Sequence, residues 1–112
     1  MSSKNINNQE YGIDENLLAK IVELILNYKM AEKIVIFGSR ADMNFKNTSD
    51  IDIAIFGKDW EDRDINVIKF KLDETIKTPL KFDVLNFYYI LKESLKENIL
   101  DKGRVLYDSG KH

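Results

Sequence analysis

The chain has 112 residues, 44% of them hydrophobic and 32% charged, with 17 Lys and Arg against 19 Asp and Glu for a net charge of −2. That length suits one domain, which buries roughly two-thirds of its unfolded surface and holds together without staples. The absence of cysteine excludes a disulfide framework, a thiolate metal site and a Cys nucleophile, and the single histidine, His112, excludes His-based triads and multi-His zinc sites. A near-neutral balance argues against a general nucleic-acid or membrane binder. No apolar run approaches the ~20 residues that span a bilayer, and the polar start MSSKNINNQE lacks a signal peptide's apolar segment, so a cytoplasmic protein is expected.

Residues 1–12 are polar and read as a loose segment. From Asp14, a candidate N-cap, Leu17, Leu18, Ile21, Leu24, Ile25 and Tyr28 recur at three- and four-residue steps and predict an amphipathic helix fading near Lys29 to Glu32. Ile34 to Phe37 form a continuous apolar run stopping at Gly38, the mark of a strand covered on both faces. The stretch RADMNFKNTS is polar and turn-forming, with room for a short helical turn at its start. In SDIDIAIFG strict alternation puts Asp50, Asp52 and Ala54 on one strand face and Ile51, Ile53 and Ile55 on the other.

After a turn at Gly57-Lys58-Asp59, Asp59 is the expected cap of a second helix carrying Trp60, Ile65, Ile68, Leu72 and Ile76, ended by Thr78-Pro79. LKFDVLNF reads as a third strand holding Asp83. Tyr88 to Lys102 suit a helix with Leu91, Leu95 and Ile99 inward and Gly103 as its C′ residue, and RVLYD adds a short extended piece. Trp60 and Phe87-Tyr88-Tyr89 read as core and helix packing, with a patch of them facing a partner as the alternative; Lys69, Lys71 and Lys77 read as a solvated helix face. The expected fold is α/β (α+β): a small, mixed, three-stranded sheet with flanking helices, spanning residues 13–108 and followed by a tail at 109–112.

Two carboxylates at i and i+2 on a strand project from one face with Cα atoms roughly 6.5–7 Å apart. Ionised side by side they repel, and each raises the other's pKa unless a cation neutralises them. Hard oxygen ligands without His or Cys favour Mg²⁺ or Mn²⁺, which keeps waters and shares phosphate oxygens. A third carboxylate on a neighbouring strand, Asp83, completes a two-metal donor set. Upstream, Gly38 lets backbone approach a ligand closely. Ser39 and Arg40 can both bind phosphate oxygens, Arg40 with charge assistance.

These residues carry a resemblance. FGSRA at 37–41, SDIDIA at 49–54, FDV at 82–84 and GRVLY at 103–107 resemble the minimal nucleotidyltransferase (MNT) domains of the polymerase-β-like superfamily, over about residues 14–107. Met43 stands where many members have glycine, which bears on the shape of the phosphate loop. The resemblance implies a nucleotidyltransferase fold, with Asp50, Asp52 and Asp83 as catalytic metal ligands, and Asp83 beside the acceptor hydroxyl. It implies Gly38, Ser39 and Arg40 as nucleotide-binding residues, two Mg²⁺ ions as cofactors, and in-line attack on the α-phosphorus of ATP.

Many MNT proteins are antitoxins paired with an all-α HEPN ribonuclease toxin, and some transfer AMP onto a tyrosine of that toxin. The resemblance therefore implies an AMP-transferring antitoxin with a HEPN partner, no direct nucleic-acid binding and no membrane. Two alternatives stand beside it. One is neutralisation by binding alone, with a vestigial nucleotide pocket. The other is an aminoglycoside-type nucleotidyltransferase, whose acceptor pocket would require an oligomer.

Overall fold

The computed structural model describes residues 9–10, 13–38, 50–78 and 80–110. Four strands form the central sheet: β3 (Lys33–Phe37), β4 (Ile51–Phe56), β5 (Phe82–Asn86) and β6 (Arg104–Asp108), in the order β5-β4-β3-β6. β3 is antiparallel to both β4 and β6, whereas β5 runs parallel to β4, so the sheet is mixed as expected. It has four strands rather than three, because RVLYD pairs along the free edge of β3. Two-residue strands β1 (Gln9–Glu10) and β2 (Ile13–Asp14) pair separately and lead into helix α1 (Glu15–Tyr28).

Alternation in the two central strands divides the core. Ile34, Ile36, Ile51, Ile53, Ile55, Phe82 and Val84 pack against Leu18, Ile21 and Ile25 of α1 and against Ile65, Ile68 and Leu72 of α2 (Asp62–Thr75). Val35, Phe37, Ala54 and Phe56 fill the opposite face with Ile99 of α3 (Glu93–Lys102). β3 is thus covered on both sides from Ile34 to Phe37, which is why that run is uninterruptedly apolar. Phe56 and Phe87 extend the second core with rings stacked 4.2 Å apart.

Three local expectations are corrected. The second helix is capped by Glu61, not Asp59, and Trp60 precedes it as a buried plug whose Nε1 donates to the Met30 carbonyl at 2.7 Å. An indole N–H taken from water requires such a partner, and this one fixes Trp60 outside the helical register. The last helix begins at Glu93 rather than Tyr88. Phe87–Tyr89 form a single 3₁₀ turn capped by Asn86, whose side chain accepts from the Tyr88 N–H at 3.0 Å, and Leu91 points outward at 94% exposure. Gly103 caps α3 with φ −64°, so its role is not a left-handed turn. A Cβ there would meet the Ile99 carbonyl oxygen at 2.3 Å and Val35 Cγ1 at 2.5 Å, so glycine is needed for the close approach of helix end and sheet.

Asp64 ties the two helices of the larger core together. Its carboxylate accepts from the Tyr28 hydroxyl at 2.6 Å, the Lys29 ammonium at 2.9 Å and the Glu61 N–H at 2.9 Å. The Tyr28 hydrogen bond, then the Glu61 N–H and Lys29, hold this carboxyl well below the usual carboxylate range. Asp64→Asn should therefore cost about 1.5–3 kcal/mol at pH 7 in urea unfolding. Because the folded pKa is depressed, the gap between wild type and variant should be constant above about pH 5. It should close as the pH falls below the unfolded carboxyl's ordinary value of about 3.9.

Candidate active site

The parallel pairing of β4 with β5 places Asp52 directly opposite Asp83. Adjacent strands lie roughly 4.8 Å apart, and the two residues share a face because their inward neighbours are paired too. Ile51 pairs with Phe82 and Ile53 with Val84, and all four are buried under the helices. The ladder continues upstream through an Ile51 N–H bond to the Lys81 carbonyl at 2.9 Å. On the other side of β4, Asp52 faces Phe37, the last residue of β3, so the chain leaves β3 at Gly38 beside the same carboxylate.

Asp52 is half-buried, whereas Asp83 and Asp50, just before β4, are exposed. Burial, then the negative charges of Asp83 and Asp50, push the Asp52 carboxyl up to about 6. Gly38 has φ 78°, and a Cβ built on it would fall 2.5 Å from Asp52 Oδ2. Turn, central carboxylate and lateral carboxylate therefore form one patch at the start of the parallel strand pair.

This donor set suits a hard divalent cation: oxygen ligands only, and mutually repelling. Among the described residues no three carboxylates are close enough to enclose a metal by themselves. Mg²⁺ does not need such a cage, since it is bound through one or two carboxylates and completes its shell with waters and phosphate oxygens. Ser39, Arg40 and Met43 lie outside the described residues, as does the short helical turn expected after Arg40.

The sequence reading missed Asn86, which anchors the strand that carries Asp83. Its buried Nδ2 donates to the Gly57 and Trp60 carbonyls at 2.7 and 3.0 Å, locking the end of β5 to the turn after β4. The available signal was an Asn closing an apolar strand before an aromatic run, a residue type that bonds its own backbone two positions on. Nearby, the Tyr88 hydroxyl donates to Glu32, and burial followed by that carboxylate pushes the phenol up to about 12.

A family model described as polymerase beta, nucleotidyltransferase matches residues 19–112. The chain belongs to this nucleotidyltransferase family. Its fold is similar to that of a toxin–antitoxin crystal structure with AMP-PNP, at TM-score 0.72 and 21% identity over 83% of this chain and 74% of that one. It is similar also to a mutant of the MntA–HpeT toxin–antitoxin (TM-score 0.69, 19% identity, 83% of this chain and 74% of that one). A third likeness is to the tri-AMPylated Shewanella oneidensis HEPN toxin in complex with MNT antitoxin (0.67, 20%, 85% and 72%). No curated protein matches the chain. The expected α+β nucleotidyltransferase fold is the fold observed, and no described helix is long and apolar enough to cross a membrane.

In this nucleotidyltransferase domain the crowding of Asp52 carries a stability cost. A carboxyl with a raised pKa is less readily ionised in the folded chain than in the unfolded one, so its charge at pH 7 opposes folding. Asp52→Asn should raise the urea midpoint of the metal-free protein at pH 7, and an unchanged or lowered midpoint contradicts the electrostatic account.

Proposed function

We propose that the chain is an antitoxin that transfers AMP from ATP to a hydroxyl, a tyrosine, of a partner HEPN ribonuclease toxin in the cytoplasm. The observation that carries this reading is the pairing of Asp52 with Asp83 on parallel strands beside the Gly38 turn. Similar folds in structures described as a toxin–antitoxin with AMP-PNP and as a tri-AMPylated HEPN toxin with MNT antitoxin support the adenine nucleotide and the protein acceptor.

In this mechanism Gly38, Ser39 and Arg40 receive the triphosphate. Ser39 contributes a hydroxyl, and Arg40 a guanidinium whose charge matches that developing on the phosphoryl oxygens. Asp50, Asp52 and Asp83 would hold two Mg²⁺ ions, which would supply Lewis-acid stabilisation of the triphosphate. Asp83, exposed on the edge strand β5, is in this reading the group beside the acceptor hydroxyl that would accept its proton. The acceptor oxygen bonds to the α-phosphorus as the bond to the bridging oxygen breaks, and pyrophosphate leaves in line.

A second reading is neutralisation by binding alone, with a vestigial nucleotide pocket. One experiment separates the two. Co-incubation with the HEPN partner, ATP and Mg²⁺ should add whole AMP units to the partner's intact mass. The Asp50→Asn/Asp52→Asn chain should add none and should no longer protect cells expressing the toxin. Protection that survives both substitutions with no mass gain would establish the binding mode instead.

A further inference from the structure

Two constraints meet at Gly38. Its backbone has φ 78°, a region that glycine enters freely and that asparagine tolerates. Independently, a Cβ at this position would lie 2.5 Å from Asp52 Oδ2 and 3.4 Å from Asp52 Cγ. The first demand concerns the chain's direction; the second concerns space, and only a hydrogen atom meets it.

What would yield to a side chain here is also evident. Both nearest atoms belong to the carboxylate of Asp52, the end of a side chain with rotatable bonds, while the Asp52 backbone is held on both sides by β3 and β5. A rotation of that carboxylate costs far less than parting the sheet. A substitution at Gly38 that tolerates the turn would thus leave the fold intact and displace the one carboxylate that all three site elements share.

We propose that Gly38 is the positioning residue for Asp52: its missing side chain reserves the volume in which that carboxylate stands beside Asp83. This role is additional to receiving phosphate, and it rests on the nucleotidyltransferase reading only for its consequence on cation binding. Glycine at the end of β3 then serves the acid as well as the nucleotide. It acts through Asp52 and does not itself need to touch the reacting atoms.

The test uses Gly38→Asn, which keeps the left-handed turn but adds the Cβ, with Gly38→Ala as a second variant. Mn²⁺ affinity without nucleotide, read by electron paramagnetic resonance, should fall roughly 10–100-fold, the range typical when support for a metal ligand is lost. The carboxyl-carbon NMR signal of Asp52 reads the contact with no metal present. Asp83→Asn should move that signal in the wild type and leave it nearly unmoved in the Gly38→Asn chain. Equal movement in both backgrounds, or unchanged Mn²⁺ affinity, overturns the proposal. If the wild type binds no Mn²⁺ while the NMR difference holds, the metal reading fails and the positioning role stands. Unfolding of both variants overturns the proposal as well, because the reserved space would then serve the fold itself.

Discussion

Everything at the candidate site depends on side-chain parity in β4. Ile51, Ile53 and Ile55 are sealed beneath α1 and α2, and this forces Asp50 and Asp52 onto the opposite face. A slip of one residue would turn the two carboxylates into the larger core and move the three isoleucines out of it, so the apolar layer specifies the register more strongly than any polar contact at the surface. Parallel pairing with β5 transmits the same choice: with Phe82 and Val84 fixed under the helices, Asp83 has no alternative to the face of Asp52.

The two sides of the sheet are unequal, and the inequality suits a site. One side carries the larger core, with Asp64 linking the end of α1 to the start of α2 through two hydrogen bonds, from Tyr28 and Lys29. The other carries, among the described residues, α3 with its single buried residue Ile99, and Phe87 of the 3₁₀ turn. A short helix leaning on Val35, Phe37, Ala54 and Phe56 covers one end of that face, and Asp52 and Asp83 stand at the other. Crowded like charges are tolerated there because the ladders beneath them are held by burial elsewhere.

How far the sequence was legible follows from the range of each signal. The helical stripe of α1, the two-sided burial of β3 and the alternation of β4 are written in neighbouring residues, and all three appear as expected. The failures came where a distant partner decides. Glu61 rather than Asp59 caps α2 because Trp60 is drawn into the core by the Met30 carbonyl, some thirty positions earlier. Leu91 faces outward because Asn86 bonds across to Gly57 and Trp60 and turns the chain before α3 can begin.

Taken alone, the sequence determined the mixed α+β class, the paired carboxylates on one strand face and the glycine turn upstream of them, because side-chain periodicity is a local property of the backbone. It also carried the motif by which the family is recognised. Tertiary structure decided that Asp83 stands directly across from Asp52, that β6 completes a fourth strand, and that Gly38 leaves no room for a side chain over Asp52 Oδ2. Each of these joins residues far apart in the chain, and such distances are set only when strands choose partners and helices close over them.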